Sequence, residues 1–303
     1  HGRLEEAIDR WISRINTRVM VGKVSYGNEA SVKEGVRLQK LSIETPELLS
    51  MPYEDAEKHL PEDQMSLLAL LKDKDFSTAA DFVSTMIKED TERYGDLDLT
   101  VAIGIQNLAM LCLLTNRLDE AIYHHKRAVE AKRAILGEGE VAILSESLNE
   151  LAVALHSRGD VEDASIVLKE AVFMHGDMEH PRILSNILNN IGCTMFQSGR
   201  PTQALSFLER SLMIQNAAPG ESEGAVSAIL NQAITKTNTG HTKLFLGHPD
   251  DALELFDESM LVLTSVLGEK NETVKSTVET IGKVKVLRAI ETYAQTVDTT
   301  ASF

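Results

Sequence analysis

Histidines are the first residues to weigh for chemistry in this chain, and two of them, His124 and His125, are adjacent. On a helix, neighbouring residues point about 100° apart, so this pair cannot share a metal as an i, i+4 pair can. Both are expected at the surface or partly packed. His175 and His180 flank a stretch holding Asp177 and Glu179, a set that could take a cation adventitiously but reads more simply as an ordinary polar loop. The glycines stand singly, the Gly22-to-Gly27 spacing is isolated, and no Lys-Ser or Lys-Thr completes a phosphate-binding loop. No serine sits in a nucleophile-elbow pattern. Acid pairs such as Glu5-Glu6 and Asp250-Asp251 fall at helix starts, where they offset the positive end of the helix dipole. Cys112 and Cys193 lie far apart on apolar stripes, which gives neither a disulfide framework nor a zinc site. No catalytic residue, metal or cofactor is therefore expected, and the chain reads as a non-enzyme.

The elements that would carry these residues are helices. Hydrophobic residues make up 43% of the chain but aromatics only 5%, and Ala, Leu, Glu and Lys outweigh the residues that suit pleated sheets. A formal charge of −16 repels nucleic-acid phosphates and anionic membranes, leaving a neutral or basic protein as the expected partner, although acidity also serves simply to solvate outer helix faces. No apolar run approaches the roughly 20 residues that span a bilayer. Two cysteines read as ordinary buried thiols suggest the cytoplasm or another reducing compartment. An organelle stays open, because the chain opens at His1 in mid-pattern.

Punctuation organises most of the sequence. Asn116-Arg117-Leu118-Asp119-Glu120-Ala121 recurs as Gly159-Asp160-Val161-Glu162-Asp163-Ala164, as Gly199-Arg200-Pro201-Thr202-Gln203-Ala204 and as Gly247-His248-Pro249-Asp250-Asp251-Ala252, with a weaker copy at Lys74–Ala79. The five alanines are 42, 43, 40 and 48 residues apart. Each segment is a helix stop followed at once by a helix start: Gly or Asn supplies a left-handed C-cap, and a polar residue caps the next amino end. Twelve residues before the alanine stands Ala109, Ala152, Gly192 or Gly240; seven after it stands Ala128, Ala171, Ser211 or Ser259. Small side chains at these positions let paired helices approach closely. Sixteen residues after the alanine, Gly95, Gly137, Gly220 and Gly268 end the second helix. Between Gly220 and Ala252 both Ala233 and Gly240 fit the small position. The first helix there is expected to be about two turns longer than its equivalents and to offer a docking surface, or to be a harmless extension.

With their roughly 42-residue period, the Tyr94-Gly95-Asp96, Leu136-Gly137-Glu138 and Leu267-Gly268-Glu269 links, the openings Glu140-Val141-Ala142 and His180-Pro181-Arg182, and Leu188-Asn189-Asn190-Ile191-Gly192, these units resemble kinesin-light-chain-type tetratricopeptide repeats. The resemblance covers about residues 62–294. It implies an all-α fold, a right-handed α-solenoid of antiparallel helical hairpins in about five repeats. Residues 1–21 look like a partial repeat, 22–61 like an irregular helical or loop connector, and 295–303 like a disordered tail. A last helix over 273–293, with Lys283, Lys285 and Arg288, would make a solvated cap.

In such arrays the first helix of each hairpin lines the concave groove. The resemblance, applied by offset from the small residue, selects Gln106 and Asn107; Glu146, Asn149 and His156; Asn186, Asn189, Asn190 and Gln197; and Asn238 and His241. Amide side chains donate and accept together, which suits an extended peptide, though some would bridge neighbouring helices instead. The lysines and arginine of a two-carboxylate clamp are missing from these positions. The expectation is a protein-interaction scaffold or adaptor gripping a partner segment. The alternative is a structural subunit embedded in a larger hetero-complex.

Overall fold

The computed structural model describes residues 66–67, 69–71, 73–137, 141–175, 180–217, 225–270 and 272–301. The partial repeat expected at 1–21 and the connector expected at 22–61 lie outside them, as do Gly220, Asp177 and Glu179. After a helical turn at 69–71 come α1 (Phe76–Tyr94), α2 (Leu99–Leu114), α3 (Leu118–Leu136), α4 (Val141–Arg158), α5 (Val161–Met174), α6 (Pro181–Gln197), α7 (Pro201–Ala217), α8 (Ala225–Phe245), α9 (Pro249–Leu267) and α10 (Glu272–Ala301). No strand occurs among the described residues. Each of these helices packs on the next along the chain, and the first helices α4, α6 and α8 also touch one another across the stack. The architecture is a helical solenoid of antiparallel hairpins.

One turn geometry repeats five times. Lys74, Asn116, Gly159, Gly199 and Gly247 all adopt positive φ. The following N–H, from Asp75, Arg117, Asp160, Arg200 or His248, reaches back to the carbonyl of Leu70, Cys112, Leu155, Met195 or Lys243 at 2.8–3.0 Å. This is the Schellman closure, and it satisfies carbonyls that the helix end would otherwise orphan. The polar caps expected after it form only in part. Asp75 accepts from the Thr78 N–H at 3.1 Å, whereas Arg117, Asp160 and His248 make no side-chain cap. Asp160 instead turns to the Arg158 guanidinium, a stronger donor than a backbone amide.

The small positions carry the packing. Ala79, Ala121, Ala164, Ala204 and Ala252 have no exposed surface, nor do Ala128, Ala171, Ser211 and Ser259. A Cβ on Gly192 would stand 2.6 Å from Leu208, and one on Gly240 would stand 2.7 Å from the Phe256 ring, so hydrogen alone lets these helices meet. Ala233 and Gly240 are both buried on the same side of α8. The described part of α8 has 21 residues against 16, 18 and 17 for α2, α4 and α6. At the far end α10 continues through 295–301, where a disordered tail was expected, because no Gly or Pro after Gly282 interrupts it. Its basic residues do more than face water: Lys285 lies 3.8 Å from Asp257, and Arg288 donates to Asp250 at 2.5 Å.

Candidate functional site

A cleft enclosing about 550 Å³ of solvent-open space runs across three consecutive first helices. One wall is α4, with Glu146, Asn149 and Glu150. The floor is α6, with Ile183, Asn186, Asn189 and Asn190, and the other wall is α8, with Asn231, Ile234 and Thr235. The i, i+3 and i+4 spacing within each set explains why each helix turns these residues to one side. Asn231, Ile234 and Thr235 stand at the same offsets from Gly240 as Ile183, Asn186 and Ile187 do from Gly192.

Amides join the helices across the cleft. Asn238 Nδ2 donates to Asn189 Oδ1 at 2.9 Å, Asn189 Nδ2 to Asn190 Oδ1 at 3.2 Å, and Asn190 Nδ2 to Asn149 Oδ1 at 2.7 Å. All three bonds run in one direction, from α8 through α6 to α4. Each primary amide has two N–H groups and two carbonyl lone pairs. The relay therefore orients Asn189 and Asn190 while leaving a donor and an acceptor site on each beyond the relay's own bonds, as an extended backbone would require.

Beneath the α4 wall lies a buried polar cluster. Gln106 Nε2 donates to Glu150 Oε2, Lys132 Nζ donates to Gln106 Oε1 and, at 3.0 Å, to Ser147 Oγ, and His125 Nδ1 stands 3.9 Å from Glu150 Oε2. None of the five side chains is more than 4% exposed. In the hairpins that follow, the place of His125, four residues after the turn alanine, is taken by Leu168, Leu208 and Phe256. Lys132, eleven after it, corresponds to His175, Gln215 and Leu263. His125 is thus a core residue, 1% exposed, and not the surface or partly packed histidine expected from its type. Its partners, not its helix face, make a polar side chain tolerable there. His175 is likewise buried, with Nε2 2.7 Å from Ser145 Oγ, and the described residues contain no group of three potential metal ligands.

Five residues selected from sequence come together in the cleft: Glu146, Asn149, Asn186, Asn189 and Asn190. Asn238 adjoins it through Asn189. Gln106 does not line it, because its amide is spent inside the polar cluster. His241 packs edge-on against Phe256, ring centroids 4.9 Å apart, and burial lowers its pKa. Asn107 and His156 are half-buried and Gln197 is exposed, all away from the cleft. Sequence reasoning missed Glu150 and Asn231, although the signal was present. Glu150 sits two residues before Ala152, as Asn107, Asn190 and Asn238 sit before their own small residues, and Asn231 sits two before Ala233.

Comparison with solved structures agrees with this geometry. The chain superposes on BtubC (BKLC) from P. vanneervenii with a TM-score of 0.57 at 18% identity, covering 79% of this chain and 90% of that one. It superposes on the nearly identical TPR-like repeats of a Podosopora anserina kinesin light chain with a TM-score of 0.52 at 16% identity, covering 71% and 97%. The fold is the tetratricopeptide-repeat solenoid. No protein-family model matches the chain, and no curated protein matches it significantly. No helix among the described residues of the solenoid is long and apolar enough to cross a membrane.

Proposed function

We propose that this solenoid is a non-catalytic scaffold or adaptor that holds an extended segment of a neutral or basic partner protein in the cleft between α4 and α8. The observation that carries this reading is the amide relay Asn238–Asn189–Asn190–Asn149. It spans three helices at the bottom of an open groove and keeps paired donors and acceptors facing the space a peptide backbone would fill. Two cysteines that form no disulfide with each other suit a reducing compartment. Cys112 is wholly buried, and burial raises its pKa, which keeps it a packing residue and not a nucleophile.

The test is selection from a phage-displayed library of random twelve-residue peptides, followed by re-binding to the Asn149→Ala/Asn189→Ala protein. Selected peptides are expected to lose about tenfold or more in affinity, the worth of one or two hydrogen bonds left unmade in a partly desolvated groove. Unchanged binding by the double variant counts against the groove.

One observation favours a second reading, a subunit embedded in a larger complex. Nine residues after the turn alanine, Phe173, Met213 and Leu261 occupy equivalent places on the second helices α5, α7 and α9, and all three are exposed, Phe173 to 89%. A ridge of large apolar side chains on the outer face is what a permanent neighbour would cover. Obligate association would show as a particle of fixed composition that survives high salt.

A further inference from the structure

The last helix, α10, is a first helix that does not turn. Its Gly282 stands 42 residues after Gly240, in the place that Ala109, Ala152, Gly192 and Gly240 hold in the earlier first helices. Seven residues beyond each of those, Asn116, Gly159, Gly199 or Gly247 adopts positive φ and closes the hairpin. Seven beyond Gly282 stands Ala289, and the helix runs through it to Ala301. Among the described residues, therefore, no second helix folds back over α10.

The face such a helix would cover is apolar and open. In α6 and α8 the equivalent face is closed: a Cβ on Gly192 would meet Leu208 of α7, one on Gly240 would meet Phe256 of α9, and Leu188, four residues before Gly192, is buried with Ile214 of α7. In α10 a Cβ on Gly282 would meet nothing within 4 Å, and Val278 and Val286, four residues to either side, are 53% and 59% exposed. Ala289 extends the same stripe and is also exposed. The docked side of α10 is the other one. Val274, Thr277 and Val284 are buried there, with Val274 packed among Leu230 of α8 and Leu263 of α9. The exposed valines thus belong to the hairpin-forming face of a repeat that has no hairpin to cover it.

We infer that a second copy of this chain covers this face, the two α10 helices packing antiparallel about a two-fold axis at Gly282. The stripe reads the same in both directions, as an isologous contact requires. Val278 of each copy lies against Val286 of the other, and the glycines cross between them, where the lack of side chains lets the backbones approach. The register overlaps residues 272–292 of both copies, about 30 Å of helix at 1.5 Å per residue. Like charge does not oppose the contact locally, although the chain as a whole carries −16. Lys283 pairs with Glu279 at 2.6 Å, Lys285 lies 3.8 Å from Asp257 and Arg288 lies 2.5 Å from Asp250, so an approaching copy meets compensated charges. A contact of this extent belongs with reversible dimers of roughly micromolar affinity. The contact does not depend on the peptide-groove reading; on that reading it puts two clefts in one particle, able to hold a partner carrying two segments with avidity.

Sedimentation velocity of the full chain across micromolar concentrations tests it. A monomer–dimer equilibrium is expected, and Gly282→Arg and, separately, Val286→Lys should each weaken it about tenfold or more. Both positions are open in the single chain, and arginine and lysine are better helix formers than the residues they replace, so circular dichroism melts of the dilute variants should not fall below those of the unchanged protein. Phe173→Ser, on the outer ridge, should leave the dimer intact. A chain that stays monomeric at the highest concentration reached overturns the inference and leaves the face to a helix of another protein. A dimer that survives both α10 variants, or that dissolves with Phe173→Ser, also overturns it and moves the contact to another face. None of these outcomes bears on the cleft, whose peptide binding is read separately with the Asn149→Ala/Asn189→Ala protein.

Discussion

Gly240 and Gly282 allow the packing argument to be tested with one chemical change made twice. Both sit inside helices, α8 and α10, so replacement by alanine should gain about 1 kcal/mol from helix propensity at either site. At Gly282 an added Cβ meets nothing within 4 Å. At Gly240 it would meet three Phe256 ring carbons at 2.7, 3.0 and 3.1 Å. Phe256 has no exposed surface and is backed by the His241 ring, so it has nowhere to turn. Forcing a methyl into such a contact costs about 1–3 kcal/mol. Gly282→Ala should therefore stabilise by about 0.5–1 kcal/mol, and Gly240→Ala should destabilise by about 0–2 kcal/mol after its propensity gain is counted. Gly192→Ala should destabilise as Gly240→Ala does, because its Cβ would stand 2.6 Å from Cγ of the buried Leu208 and 3.2 Å from the Ala204 carbonyl. Urea unfolding followed by circular dichroism measures all three. Equal stabilisation at Gly240 and Gly282 would refute the claim that hydrogen at the small position is what lets α8 and α9 meet.

Lys132→Leu, which copies Leu263 of the last hairpin, should cost about 3 kcal/mol in the same assay, because it strips Gln106 and Ser147 of a buried donor and leaves Glu150 in a less compensated site. Lys74→Gly should stabilise by about 0.5–1 kcal/mol, since Lys74 holds a φ of 57° that costs a side chain energy and glycine little. His124 and His241 have pKa values lowered chiefly by burial, with Arg127 adding to the effect at His124. The unfolded chain then binds more protons than the folded one as pH falls below the usual histidine value of 6.5, so stability should decline on acidification from there and be flat above it for these groups. Thermal melts between pH 8 and 5, repeated on His124→Gln/His241→Gln with a shallower expected slope, check the sign.

The solenoid was legible because its signals are punctuation and size. A left-handed residue closes each turn whatever surrounds it, and a small residue at a helix crossing cannot be exchanged for a large one, so period and spacing carried the hairpin design. Five cleft residues followed for the same reason, since an offset along a helix fixes the face. What escaped was polarity in the core. His125 and Lys132 look like surface residues by type. Only comparison with the equivalent Leu168, Leu208, Phe256 and Leu263 shows that they occupy core columns, and no local pattern reveals that Gln106 and Glu150 lie close enough to satisfy them. Gln106 was assigned to the groove because an amide at that offset can turn either way, and here the buried lysine turns it inward.

The most direct measurement is photo-crosslinking in native lysate, with p-benzoyl-phenylalanine placed at position 186 on the cleft floor or at position 173 on the outer ridge in separate preparations. The adaptor account predicts that the position 186 probe captures a discrete partner, that the adduct maps to one short segment, and that Asn149→Ala/Asn189→Ala abolishes it. Adducts formed only from position 173, with the cleft probe silent, would contradict the account and make this solenoid a subunit held by its outer face.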